Sequence, residues 1–419
     1  MFASLRDRPW LAALLIAIAA QALFTLHLGR PSKLTFDEVH YVPAARALLD
    51  LSGPVNTEHP LLGKLLIASG IALFGDGPIG WRAMSTIAGT ATVIGSFAVL
   101  MLLLGNVRTA AFGALCVLVN QTVFVQARIG MLDGFLGAFV VATIAALIWS
   151  AQAPPGHIWR RLILAAVLAG CAVAVKWAAI PYVALACLGI VWTRWHGGAG
   201  LLTGRGQPHW PGVRTADLLL GFGLIAIAAY LASFAPAFFY ARDPLTLAGL
   251  VPFQFDMLAA QTQVLSPHSY QSDWWSWPLM LRPIWYFYEP DQGAVRGVLL
   301  IGNPAVMWAG LAAVAACWAA ARHSPAHLLI AMLWTFSLLI FAIIPKSLGF
   351  YYYYHLSGIF VALALAAAAH RWRARWPHAD LIFGTLAVGL FAYFYPILSA
   401  APLPGDQAFT VWTWFPGWR

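Results

Sequence analysis

Residues 58–82 read Glu58-His59-Pro60-Leu61-Leu62-Gly63-Lys64-Leu65-Leu66-Ile67-Ala68-Ser69-Gly70-Ile71-Ala72-Leu73-Phe74-Gly75-Asp76-Gly77-Pro78-Ile79-Gly80-Trp81-Arg82, and the stretch from Ala83 to Leu104 that follows carries no charge. A bilayer core takes about 20 apolar residues in a helix. The run after Arg82 is long enough to cross. Residues 61–74 are apolar but too short, and Gly and Pro flank them closely. They read as an interfacial or re-entrant helix. The stretch thus places a polar loop, a short membrane-surface helix and a span in succession.

Working outward, the same criterion finds eleven spans, near 10–28, 82–104, 109–126, 130–150, 162–176, 178–193, 216–236, 297–320, 326–345, 350–369 and 380–399. The fifth and sixth are short and meet around Lys176. Arg6 and Arg8 precede the first, and Ala20-Gln21-Ala22 resembles a cleavage site, but the ten spans behind it favour a retained anchor. Composition agrees: 61% of the 419 residues are hydrophobic and 9% are charged, against about 25% charged in soluble domains. A soluble enzyme, a disordered chain and a fibrous one are excluded. The fold class is an all-α polytopic membrane protein. Cys116, Cys171, Cys187 and Cys317 lie in apolar runs without CxxC spacing, as buried hydrophobes do.

The net charge of +9 is a topology signal. With the N-terminus in the cytoplasm, the inner loops and span ends hold twelve bases and three acids, and the outer side holds twelve of each. That bias follows the positive-inside rule and is not a nucleic-acid footprint. It places the protein in the plasma (inner) membrane, with residues 29–81, 237–296 and 400–419 on the non-cytoplasmic side. Aromatic clusters such as Trp274-Trp275-Ser276-Trp277 fall there, as interfacial anchors do.

The first outer loop carries the titratable cluster. Lys33-Leu34-Thr35-Phe36-Asp37-Glu38-Val39-His40-Tyr41 opens an amphipathic helix over residues 37–50, marked by Val39, Val42, Arg46 and Leu49. Two adjacent acids at the membrane surface have either a task or the bland role of an acidic helix start. Arg82, entering a span, needs an anion. Asp37 or Glu38 in a salt bridge and a lipid phosphate satisfy it equally well.

These residues resemble a known family. Phe36-Asp37-Glu38-Val39-His40-Tyr41, followed by His59-Pro60-Leu61-Leu62-Gly63-Lys64-Leu65-Leu66-Ile67-Ala68, is similar to the F-D-E-x-H-[FY] and H-P-P-L-G-K-L-L-I-A motifs of the protein O-mannosyltransferases. Phe74-Gly75, Gly80-Trp81-Arg82, Ala127-Arg128-Ile129-Gly130-Met131-Leu132-Asp133, Val175-Lys176-Trp177, Tyr270-Gln271-Ser272, Trp277-Pro278-Leu279, Arg282-Pro283 and Gly302-Asn303-Pro304 continue the resemblance in order. It implies a GT-C glycosyltransferase fold. It also implies inverting transfer of mannose from a polyprenyl-phosphate carrier to Ser or Thr hydroxyls on the non-cytoplasmic face. Carried over by motif, Asp37 is the base, Glu38 holds the acceptor and Arg82 meets the carrier phosphate. Leu61 stands where the family has a second proline, and Thr57 where it often has an aspartate. The second loop has no room for the large lumenal domain of eukaryotic members, which implies a short bacterial form. The implied organisation is a transmembrane module over 1–236 with its catalytic loop at 29–81, an outer loop at 237–296, and a four-helix-type module with an outer tail at 297–419.

The chemistry asks for a base to deprotonate a hydroxyl and cations to hold the departing phosphate. Lys346, Arg128 and Lys176 are further cation candidates beside Arg82, each also explicable as a snorkelling side chain. Asp133 reads as an ion-pair partner for Arg128. His59 and Pro60, with Lys64, shape the loop, and Tyr351–Tyr354 with His355 (Tyr354 and His355 foremost) line the carrier groove, although an interfacial aromatic belt explains the tyrosines equally well. His40, His59, His268 and His355 with Asp37 and Glu38 offer donors for a divalent cation, but their spacing matches no metal motif, so no cofactor is required by this reading. The same fold acting on a lipid or envelope-glycan acceptor is the alternative. A transporter is disfavoured, because no repeat is visible and the acids cluster in outer loops.

Overall fold

The computed structural model describes residues 8–264, 266–344 and 347–419. The uncharged run forms α4 (Pro78–Leu104), entered through Pro78 at its first turn and ended at Gly105, which takes the left-handed conformation (φ 61°). Before it come α1 (Pro9–Thr25), α2 (Glu38–Leu49) and α3 (Leu62–Phe74). The two loop helices stand where the sequence puts them. Gly70 and Gly80 let α3 and α4 meet closely, for a Cβ on Gly70 would lie 2.3 Å from the Gly80 carbonyl. Gln21 of α1 donates to Thr86 and accepts from Thr90, both at 2.8 Å, tying α1 to α4.

The expected third span is broken. It forms α5 (Val107–Leu118) and a short α6 (Gln121–Gln126). Asn120 causes the break: its side chain accepts from the Thr122 amide and hydroxyl, restarting the helix. Then follow α7 (Leu132–Ala151), α8 (Ile158–Val175), α9 (Ile180–His196) and α10 (Thr215–Ala232). Lys176 sits in extended backbone (φ −158°, ψ 134°) between α8 and α9.

The second outer loop contains α11 (Leu250–Gln261) and an antiparallel hairpin, β1 (Ile284–Asp291) and β2 (Ala294–Leu300). The hairpin corrects the eighth span, expected from residue 297. Residues 297–300 pair with β1, turning at Gln292-Gly293, and the helix starts later. That helix is α12 (Pro304–Ala320), capped by Asn303 with Pro304 at its first turn. The chain ends with α13 (Pro325–Ile343), α14 (His355–Arg371) and α15 (Ala379–Leu398).

Among the described residues nine helical segments are long and apolar enough to cross a membrane, two fewer than the sequence suggests. The first helix has 17 residues, and the third expected span is the broken one. The protein is a mostly helical, multi-pass membrane protein. Helix α14 is the centre of the second half, buried along almost its whole length against α5, α12 and α13. Its small residues Ala362, Ala364, Ala366 and Ala367 allow that close approach.

Candidate active site

The loop before α2 turns sharply at Phe36, which takes φ 48° although it carries a side chain. Such strain persists only where surroundings hold it. Here Phe36 stacks on Tyr286 of β1 at 4.4 Å between ring centroids and meets Tyr352 edge-on at 5.9 Å. The turn delivers two adjacent carboxylates to opposite environments.

Glu38 is fully buried and fully used. One oxygen accepts from Arg82 Nε at 2.7 Å and from the Gly130 amide at 2.7 Å. The other accepts from Arg82 Nη2, the Thr35 amide and the Thr35 hydroxyl at 2.8–2.9 Å. Burial pushes its carboxyl up, but the Arg82 guanidinium and these donors together hold it below the usual range. Arg82 is equally engaged. Beyond Glu38 it donates to the carbonyls of Pro31 at 2.7 Å and Lys33 at 2.9 Å. The bridge is bidentate, with both side chains at 0% exposure. Arg82 and Glu38 thus form one buried bridge, which fixes the loop before α2.

Asp37 is different. It occupies the cap position of α2, yet its side chain makes no cap hydrogen bond. Its nearest hydrogen-bond partner is the Tyr41 hydroxyl, donating at 3.5 Å. Burial pushes the Asp37 carboxyl up from its ordinary 3.8 to about 6, against the pull of Lys176; Asp133 adds to the rise.

Asp133 and Lys176 form the second half of the site. Lys176 Nζ donates to both Asp133 oxygens at 3.0 Å and stands 5.3 Å from the ring centres of Tyr352 and Tyr353. This corrects the pairing of Asp133 with Arg128. Arg128 instead donates to the carbonyls of Phe24, Leu26 and His27, closing the end of α1. A signal for the true pair was present: lone opposite charges in neighbouring apolar spans must meet.

The remaining candidates divide. Lys64 is buried and donates to the carbonyls of Asn56 at 2.6 Å and His59 at 2.7 Å, so it pins the loop through His59 and Pro60. The His59 ring lies 6.2 Å from that of Tyr41. His40 is exposed. Tyr354 faces away, its hydroxyl accepting from Trp334, and His355 is packed against Gly137 inside the bundle. Tyr352 and Tyr353, from the same Tyr351–Tyr354 run, are the tyrosines that stand against Lys176. Lys346 lies outside the described residues. Among the described residues no three His, Cys, Asp or Glu side chains gather as metal ligands.

A carboxylate without a strong partner, a nearby lysine and an aromatic wall lie together at one end of a helical membrane bundle, and that bundle has the fold of GT-C enzymes. The fold is that of the S. cerevisiae Pmt1–Pmt2 protein O-mannosyltransferase complex, solved with its sugar donor (TM-score 0.82, 15% identity, covering 98% of this chain and 93% of that one). ArnT of Cupriavidus metallidurans, solved with undecaprenyl phosphate, is similar over 91% of this chain and 64% of its own (TM-score 0.59, 17% identity). The family profile of dolichyl-phosphate-mannose–protein mannosyltransferases matches residues 76–240, and that of the C-terminal four-transmembrane region of protein O-mannosyltransferases matches residues 246–418. The chain belongs to the protein O-mannosyltransferase family. Relatives named polyprenol-phosphate-mannose–protein mannosyltransferase, from Mycobacterium tuberculosis (strain CDC 1551 / Oshkosh) and Mycolicibacterium smegmatis (strain ATCC 700084 / mc(2)155), are each 26% identical. Their alignments cover 99% of this chain and 92% and 94% of theirs.

Proposed function

We propose that this mannosyltransferase moves mannose from a polyprenyl-phosphate carrier to Ser and Thr hydroxyls of proteins. The reaction takes place on the face that carries residues 29–81, the non-cytoplasmic side of the plasma membrane. The observation that carries the reading is Asp37. It is the carboxylate of the adjacent pair with no strong partner, raised to about 6 by burial, so it accepts a proton near neutral pH.

In the reaction the acceptor oxygen bonds to the anomeric carbon, the bond from that carbon to the phosphate oxygen breaks, and the hydroxyl proton passes to Asp37. The polyprenyl phosphate leaves with the bonding electrons. Lys176, steadied by Asp133, supplies the positive charge for it; an ammonium has three N–H donors, and Asp133 takes two. No cofactor enters this scheme, because phosphate is already a competent leaving group. The sequence divides accordingly, with 1–236 as the module that holds the reacting groups and 297–419 as the module that supplies Tyr352 and Tyr353.

The test is Asp37→Asn in the purified, reconstituted chain, supplied with polyprenyl-phosphate mannose and a Ser/Thr peptide. The expected result is loss of transfer by roughly 100-fold or more in a protein that still folds and inserts. Wild-type transfer in that variant would falsify the base assignment. A labelled lipid in place of a labelled peptide would change the acceptor.

A further inference from the structure

At the end of the bundle opposite Asp37, a cavity of about 380 Å³ opens between Pro9, Met101, the Gly105–Arg108 turn and Arg373. Its charge is not balanced. Arg108 takes both oxygens of Asp380, at 2.5 and 2.7 Å. Arg373 lies 3.8 Å from the same carboxylate, beyond hydrogen-bond length. It is held instead by the neutral Thr109 hydroxyl at 3.0 Å and, more loosely, by Asn106. Two guanidiniums thus share one carboxylate, and both line the cavity.

Two further features fit the same ligand. The N-terminus of α5 begins at Val107 on the cavity wall, and the positive end of a helix adds to the attraction for an anion. Trp10, next to Pro9, and Trp376, three residues past Arg373, are 63% and 67% exposed. Exposed tryptophans mark headgroup depth in a bilayer. They place the cavity where lipid phosphates lie, with Met101 as an apolar wall for the start of an acyl chain.

We infer that this cavity binds the phosphate headgroup of an anionic membrane phospholipid, with Arg373 as its main ligand and Arg108, fixed by Asp380, beside it. Basic pockets between transmembrane helices recognise such headgroups elsewhere. The site is separate from the one around Asp37 and does not depend on the sugar or the acceptor.

The test is native mass spectrometry of the purified full chain, incubated with phosphatidylglycerol or phosphatidylcholine at equal concentration. The wild type should retain phosphatidylglycerol in preference. Arg373→Gln should lower retention roughly tenfold, the size expected when a charge-assisted hydrogen bond is lost. Met101→Trp, which fills the cavity without changing its charge, should lower it similarly. Arg322→Gln, on another exposed basic loop, should leave it unchanged. The proposal is overturned if Arg373→Gln and Met101→Trp retain the lipid as the wild type does. It is equally overturned if Arg322→Gln loses as much, or if millimolar inorganic phosphate displaces the lipid completely.

Discussion

Asp37 and Glu38 are neighbours in sequence and opposites in environment. Glu38 meets a guanidinium, two amides and a hydroxyl; Asp37 meets one distant phenol. The pH dependence follows from the second. Transfer needs the Asp37 carboxylate, so activity should rise with pH through about 6, read as the acidic limb of kcat/KM for the acceptor. The stability effect has the opposite sign. A carboxyl raised in the folded state binds its proton more tightly there than when unfolded. Folding therefore loses stability as pH rises from about 3.8 through about 6. Asp37→Asn should be the more stable at pH 8, by about 1–3 kcal/mol, read as a higher Tm, and the difference should vanish near pH 3. Arg82 gives a second residue-scale prediction. As a structural partner, its replacement by Leu leaves Glu38 buried and charged, at a cost of roughly 3–5 kcal/mol. Arg82→Leu should be poorly folded, and Glu38→Gln in the same chain should restore part of the yield, read by size-exclusion profile and thermal unfolding. A clamp for the carrier phosphate predicts a well-folded single variant with a raised donor KM. The sequence shows that Arg82 needs an anion. It does not show that Pro31, Lys33, Thr35 and Gly130 complete the set, because four of the five groups are backbone carbonyls or amides, whose partners a side-chain pattern does not specify.

At the scale of elements, hydropathy reads the long helices well and their interruptions poorly. The loop helices 38–49 and 62–74 were visible in apolar spacing. The hairpin was not, because β2 and α12 join into one apolar run from Val298 to Ala320 that satisfies a span criterion by length. The decisive local signal was there: Asn303-Pro304 is a helix start by capping chemistry, and Gln292-Gly293 is a turn. Apolar count outweighed both. Asn303 does more than cap. Its amide donates to Val119 O at 3.0 Å and Ala387 O at 2.8 Å, while its oxygen accepts from the Ala305 amide. It therefore serves the helix break between α5 and α6, where a carbonyl would otherwise be orphaned, and ties it to α15. Asn303→Leu should destabilise the protein by about 1–3 kcal/mol, measured as a fall in Tm. Asn303→Asp keeps the cap acceptor and loses both donations. It should fall as far as Leu does if the donations dominate, and stay near the wild type if only the cap matters.

The whole molecule is organised by which end each loop joins. The Ala241 amide donates to Leu51 O at 2.7 Å, and Lys33 meets Glu289 at 3.3 Å. The tail joins the same layer: Leu403 N donates to Val295 O, and Trp285 donates to Trp418 O. Residues 29–81, 237–296 and 400–419 thus form one layer over Asp37, as the charge count groups them. The bases Arg108, Arg205, Arg322 and Arg373 belong to loops or span ends grouped with the opposite end. This coherence makes the orientation a single binary question. The positive-inside bias leads to the expectation that the Asp37 layer lies outside the cell, and that expectation can be tested directly. Leu247, in the second outer loop, and Leu202, between α9 and α10, are 83% and 75% exposed. Leu247→Cys should react with a membrane-impermeant maleimide in intact cells, and Leu202→Cys only after permeabilisation. The native cysteines, two buried and two partly buried within spans, set the background to subtract. The reverse labelling pattern would put Asp37 in the cytoplasm and remove the proposed reaction from the non-cytoplasmic face. Labelling of both from outside would break the alternation on which the charge argument depends.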